Sequence, residues 1–229
     1  MVMANDGSAA EVKRLNQELE ERHYEFRSNC NDGDGDASAC HSWGEWLAVV
    51  DKNYRDAAKM YELNCIKKEY PASCFNLGRL KLAGKGVEQN DFEAFKLFDK
   101  SCGKGHAAGC HHVGLMQTQG VGCEKDLAKA LIAFKKACEH DDANSCNRVA
   151  NMYLSSRVNS PIKRNTLQAK TYLEKACDAN FAPACHNLAV MYKKGDEGIP
   201  EDEDKYHEYR AKTEKLIEQA GGISSIKSA

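Results

Sequence analysis

The run LGRLKLAGKGVEQNDFEAFKLFDKSCGKGHAAGC, from Leu77 to Cys110, contains almost one whole period of a repeating unit. Its first part belongs with Cys74: an apolar residue stands three positions after that cysteine (Leu77), a small one four after (Gly78) and a large apolar one six after (Leu80). Such a stripe follows the 3.6-residue period of a helix rather than the alternation of a strand. Its later part counts back from Cys102, with Phe98 four before it and Ala94 eight before it, which is again one face of a helix. Between the two lies AGKGVEQN, whose glycines can take positive φ and whose Asn90 is placed to cap the second helix.

Working outward, the pattern recurs along the chain. Cys74, Cys110, Cys146 and Cys185 follow one another at 36, 36 and 39 residues, a period typical of helical-hairpin solenoids. The small position reads Gly44, Gly78, Gly114, Ala150 and Ala189, and the apolar position before it reads Trp43, Leu77, Val113, Val149 and Leu188. The large apolar position reads Trp46, Leu80, Met116, Met152 and Met191. These residues define helix A of each unit. Helix B carries Phe26, Tyr61, Phe98, Phe134 and Leu173, with Ala57, Ala94, Ala130 and Ala169 one turn earlier in units where that position is filled. Asp126 is placed like Asn90 after the turn QGVGCEKD, whereas the fourth unit has the irregular SSRVNSPIKRN instead. The fold class expected is all-α, an α/α superhelix (solenoid) of helical hairpins. Its boundaries are a flexible terminus over 1–10, a capping helix over 11–29, units over about 38–70, 71–106, 107–142, 143–181 and 182–220, and a flexible tail over 221–229. A polar closing helix is expected over 202–220.

Ten of the eleven cysteines fall into local pairs: Cys30 with Cys40, Cys65 with Cys74, Cys102 with Cys110, Cys138 with Cys146, and Cys177 with Cys185. Seven to nine residues separate the members of a pair, against roughly two to four between the ligands of a zinc knuckle or ribbon, so disulfides are favoured over metal. Each pair would tie the end of one helix B to the start of the next helix A. Helices packed roughly 8 to 10 Å apart bring such residues within a disulfide's reach. Ten cysteines allow many connectivities, and local pairing rests on this repeat geometry. Cys123 is left over as a free thiol on the A-to-B turn of its unit, where the bland role of a small apolar residue is expected.

A net charge of -2 with interspersed signs gives no footprint for a phosphate backbone, so nucleic acid is not an expected partner. Apolar stretches of a few residues fall far short of the roughly 20 that cross a bilayer, so no membrane insertion is expected. The amino-terminal MVMANDGSAAEVKR has no apolar core of a secretory signal. Five disulfides require an oxidising compartment, and the chain has no Asn-x-Ser/Thr sequon.

The Leu77–Cys110 run resembles the Sel1-like repeat in its Leu-Gly pair, Gly-x-Gly-Val turn, capping residue and following helix; Cys123 departs from it in place of the turn valine. Among cysteine-bearing chains of this kind, DAAKMYELNC, SCFNLG, GCHHVGLM and KACDANFAPACHNLAVMYKKGDEG are most similar to the mitochondrial cytochrome c oxidase assembly group of the Sel1-repeat class. That resemblance implies a non-enzymatic, protein-binding assembly factor for respiratory complex IV, resident in the mitochondrial intermembrane space. It implies proteins of respiratory complex assembly as partners, an intermembrane-space disulfide relay oxidoreductase during import, and a monomer. One alternative is an exported bacterial-type cysteine-rich Sel1 protein that binds or weakly hydrolyses β-lactams. Ser-x-x-Lys occurs at Ser101 and Lys104, Ser160 and Lys163, and Ser224 and Lys227, but no Lys-Thr-Gly or Ser-Asp-Asn accompanies them. The other alternative is a haem-handling chaperone using His41, His111, His112 or His186 beside the cysteines. Disulfide-bonded cysteines cannot ligate and no CxxCH is present, so these histidines are expected to be solvated or capping, and no cofactor is required. Recognition is expected on helix A, where the position two after the second cysteine gives Ser42, Asn76, His112, Arg148 and Asn187, and position five adds Arg79 and Asn151.

Overall fold

The computed structural model describes residues 6–155 and 160–221. Residues 1–5 and 222–229, within the ends expected to be flexible, lie outside the described residues, as do Ser224 and Lys227. The described residues form eleven α-helices and a short 3-10 turn at Asn31–Gly33, with one isolated bridge between Asp196 and Ile199. They divide into two compact units, 1–101 and 102–229. None of the described helices is long and apolar enough to cross a membrane.

The first unit holds α1 (Asp6–Cys30), α2 (Ala37–Val49), α3 (Tyr54–Lys67), α4 (Pro71–Ala83) and most of α5 (Asp91–Gly103). The second holds α6 (Ala107–Gln119), α7 (Leu127–Glu139), α8 (Ala143–Leu154), α9 (Thr166–Asp178), α10 (Ala182–Lys194) and α11 (Glu203–Gln219). Helix A of each hairpin is thus α2, α4, α6, α8 or α10. The leading helix starts at Asp6, five residues before the apolar pattern predicts, because Ser8, Ala9 and Ala10 continue a helix without needing a buried face.

Polar side chains start the helices where the sequence places them. Asn90 Oδ1 accepts from the Glu93 amide at 3.0 Å and Asp126 Oδ1 from the Lys129 amide at 2.9 Å, and Asp36, Asn53, Asp142, Asn165 and Asp202 do the same for their own helices. Gly84 and Gly120 close α4 and α6 in the left-handed conformation, at φ 64° and 80°. The second glycine of each Gly-x-Gly turn, Gly86 or Gly122, is also left-handed, which accounts for the motif.

Each helix B meets the following helix A through a short turn bridged by a disulfide. The five bridges join Cys30 to Cys40, Cys65 to Cys74, Cys102 to Cys110, Cys138 to Cys146 and Cys177 to Cys185, with Cα separations of 4.4 to 4.8 Å. Nine of the ten bridged cysteines are buried to within 1% exposure, so the bridges are part of the core rather than surface clips. In the last four turns the residue five before the second cysteine is left-handed: Glu69, Gly105, Asp141 and Asn180. A further tie recurs at the helix ends, where Lys100 Nζ donates to the Cys65 carbonyl at 2.9 Å and Lys175 Nζ to the Cys138 carbonyl at 2.6 Å. Both carbonyls lie in the last turn of their helix, where a cation is a well-suited donor, and that of Cys138 also accepts from the Asp141 amide at 3.1 Å.

Inside the hairpins, the small position of helix A receives the large residue of the following helix B. A Cβ on Gly44 would lie 2.6 Å from the Tyr61 ring, one on Gly78 2.8 Å from the Phe98 ring, and one on Gly114 2.7 Å from the Phe134 ring. Where helix B carries the narrower Leu173, helix A carries Ala150, and both are fully buried in one cluster. Size is therefore matched across the hairpin, ring to glycine and leucine to alanine. Gly78→Ala should cost about 1 to 2 kcal/mol, overpacking exceeding the roughly 1 kcal/mol that alanine adds to helix propensity. Combined with Phe98→Leu it should cost less than the two singles added, a coupling that a double-mutant cycle in urea reads directly; additivity would refute the size match.

Histidines one position after the second cysteine brace consecutive A helices. His41 Nδ1 lies 3.1 Å from Ser73 Oγ, and His111 Nδ1 lies 2.7 Å from Ser145 Oγ, so the same two positions of the repeat are joined in each unit. Asn64 Nδ2 adds a bond to Ser73 Oγ at 2.7 Å and one to the Ala37 carbonyl at 2.9 Å. Burial lowers the His41 pKa, opposed only by Glu45. These two histidines are therefore packed structural groups joined to a serine of another helix, where the sequence leads one to expect solvated or capping ones. His111 also faces Asp142 at 3.1 Å, and Asp142 accepts from the Ser145 amide at 2.8 Å. Burial alone would raise the Asp142 carboxyl, but the hydrogen bonds from His111 and Ser145 outweigh it and hold it at about 2, below the ordinary 3.8. Its stabilising effect is thus complete above pH 4 and is lost as pH falls toward 2. Asp142→Asn should be less stable than the parent at pH 6, with the gap closing by pH 2.5; a gap that stays constant in urea melts would remove this role. Replacing Cys138 and Cys146 together by serine should cost about 2 to 3 kcal/mol in the same assay.

Candidate functional site

Two members of the polar column expected on helix A, Asn76 and Arg148, lie against the buried large residues of helix B. Asn76 hydrogen-bonds the Tyr61 hydroxyl, whose pKa is raised by burial first and by Glu45 second. Arg148 stands over the Phe134 ring, 5.7 Å from its centroid, at the same two repeat positions. Arg79 lies over the Phe75 ring at 5.8 Å. His112 Nδ1 lies 2.9 Å from the carbonyl of Ala108, one turn back on its own helix. Asn187 Nδ2 donates to Asn147 Oδ1 at 3.0 Å, across from α10 to α8. Most of the column is therefore engaged within the fold. A large ring under a helix needs a polar or cationic lid, and this position supplies it.

Two members of the column come together at an opening in the second unit. A groove of about 230 Å³ has Leu127, Phe134, Met152 and Ile162 as its apolar part and Thr118, Arg148, Asn151, Ser155 and Ser160 as its polar part. Four of these, Arg148, Asn151, Met152 and Ser155, follow one another at i, i+3, i+4 and i+7 and so share one face at α8. The rest comes from α6, α7 and the connection after α8. That connection spans 155–165, eleven residues against the seven of 84–90 and 120–126. It is anchored by Ile162, which is 8% exposed, and by Arg164, whose Nη2 is 2.7 Å from both Asp196 oxygens. Sequence reasoning missed its contribution. The signal was the loss of the Gly-x-Gly turn in SSRVNSPIKRN, a stretch longer than the other two A-to-B connections.

The remaining candidates are placed otherwise. Cys123 is a half-buried free thiol in the 120–126 turn, and burial raises its pKa against a partial pull from Lys129, which weakens it as a nucleophile at neutral pH. Ser101 is fully buried and donates to the Pro71 carbonyl at 2.7 Å. Ser160 Oγ accepts from the Ile162 amide at 3.2 Å. His186 is exposed on α10. Among the described residues, no three His, Cys, Asp or Glu side chains gather in a way that could hold a metal ion.

The Sel1 repeat matches residues 71–106, 107–142, 143–181 and 182–205, more than half of the chain. Stretches of the chain are similar to proteins named cytochrome c oxidase assembly factor 7. The Xenopus tropicalis protein is 37% identical over 67 residues, covering 29% of each chain. The Drosophila melanogaster homolog is 29% identical over 87 residues, covering 37% of this chain and 32% of its own. The chain thus matches about three-tenths of the length of these relatives. Among solved structures, a protective antigen of uropathogenic Escherichia coli described as displaying an SLR fold superposes with a TM-score of 0.72 at 21% identity, over 84% of this chain and 41% of its own. A Sel1 repeat protein from Oxalobacter formigenes gives a TM-score of 0.68 at 24% identity, over 79% and 71%. Both likenesses concern the fold. With the repeat matched over four consecutive segments and the helical hairpins in place, the chain belongs to the Sel1 repeat family.

Proposed function

We propose that this protein is a non-enzymatic, protein-binding assembly factor for cytochrome c oxidase, working in the mitochondrial intermembrane space. The observation that carries the reading is the similarity to proteins named for cytochrome c oxidase assembly in a frog, a fly and other animals. The disulfides support the compartment: five buried bridges need oxidising surroundings. In this reading a disulfide relay oxidoreductase inserts the bridges during import and thereby traps the folded chain. Its partners are proteins of respiratory complex assembly, met by the helix A face, and the protein acts as a monomer without a required cofactor. Ser101, His41, His111 and His112 are hydrogen-bonded within the fold, which suits binding better than catalysis.

Deleting the gene in its source cells should lower assembled complex IV on native gels and cytochrome c oxidase activity, with complexes I and III less affected. Re-expression of the parent should restore both, and a variant with Cys138 and Cys146 changed to serine should restore them poorly because less protein accumulates. Unchanged complex IV in the deletion strain would refute the assembly role.

A further inference from the structure

The groove beside α8 has a chemistry of its own. Among the described residues that line it, Arg148 is the one charged side chain. Among the described residues none of the ion pairs includes Arg148, and its recorded contact is with the face of Phe134. A cation–π contact uses none of the guanidinium's five N–H donors. Asn151, one turn further along the same helix face, adds an amide with two more donors. Ser160 Oγ accepts from the Ile162 amide, which leaves its own O–H to donate outward. Donors on one charged and two neutral groups therefore surround a floor made by Leu127, Phe134, Met152 and Ile162.

What complements this is an anion joined closely to an apolar group. A phosphate would meet the donors and leave the floor wet. An aliphatic side chain alone would leave the guanidinium without a counter-charge. The α-carboxylate of a polypeptide's last residue lies one carbon away from that residue's side chain and satisfies both. The size agrees: clefts that enclose a whole small ligand measure roughly 300 to 1,000 Å³, and this groove of about 230 Å³ suits one end of a longer chain.

We propose that the groove lined by Arg148, Asn151 and Phe134 captures the free carboxyl end of a partner polypeptide whose last residue is apolar. The inference rests on the protein-binding reading given above, but not on which complex is assembled. The guanidinium and Asn151 hold the carboxylate, and Leu127, Met152 and Ile162 take the terminal side chain.

The test uses the oxidised full chain on arrays of random heptapeptides displayed in both orientations, one leaving the carboxyl end free and the other leaving it attached to the support. Capture is expected for free-carboxyl peptides ending in Leu, Ile, Met or Phe, and to disappear when the same peptides are amidated. Arg148→Gln should weaken capture tenfold or more, the effect of losing a charge-assisted contact, and Arg148→Lys less so, since it keeps the charge and loses the fork. Because Arg148 is exposed and its contact with Phe134 is a weak one, both variants should retain the parent's helical circular dichroism, with a melting temperature lowered by no more than a few degrees. Equal capture in the two orientations, capture indifferent to Arg148→Gln, or no capture at all would each overturn the inference. Rescue of the deletion strain separates the two readings. If complex IV depends on the protein while the array shows no carboxyl-end capture, this inference alone fails; if capture is found while complex IV is indifferent to the deletion, the assembly reading alone fails.

Discussion

The turn from helix B into the next helix A sets the geometry of everything around it. A disulfide fixes two Cα atoms less than 5 Å apart at each of five such turns, so the two helices leave a common point with little freedom left in their phase. In the last four turns a left-handed residue lies five before the second cysteine, and the position accepts Glu69 and Asp141 as well as glycine and asparagine. Glutamate and aspartate in that conformation are uncommon, and the bridge beside them is one constraint that keeps them there. Within each hairpin the small position of helix A faces the large residue of the helix B that follows it, and a ring can be accommodated only where the facing residue has no side chain. The sequence alternates accordingly between glycine against Tyr61, Phe98 and Phe134, and alanine against Leu173.

That constraint explains what could be read from the chain alone. Cysteine spacing, the small position and the two apolar stripes are all consequences of one repeated contact, so they recur at fixed offsets and make the helices, their caps at Asn90 and Asp126, and the fold class legible. The histidines were less so. A histidine after a cysteine looks solvated when only its own helix is considered; its partner, Ser73 for His41 or Ser145 for His111, lies on another helix about one period away. Repeat offsets could have joined the two, because both sit one residue from a cysteine.

The candidate recognition surface was legible in part for a related reason. At the second position after the cysteine, Asn76 and Arg148 contact the large side chain of helix B, so they perform an internal task first. Arg148, whose recorded contact is with a ring face, keeps hydrogen-bond donors to spare. The opening beside it is also lined by Ser155, Ser160 and Ile162, from a connection longer than the turns at 84–90 and 120–126 and therefore invisible to any reading based on the repeat. A departure from the period is where a repeat protein gains room for something specific.

Stapled helical hairpins in an oxidising mitochondrial compartment are the center of this account, and the most direct test is peptide-level mass spectrometry of the protein from its native cell fraction, with and without reduction. The account predicts five local bridges at the turns, Cys123 free, and the protein recovered from the intermembrane space. Reduced cysteines in a cytosolic fraction would contradict it, and bridges between cysteines of different turns would contradict the geometry on which the packing of every hairpin depends.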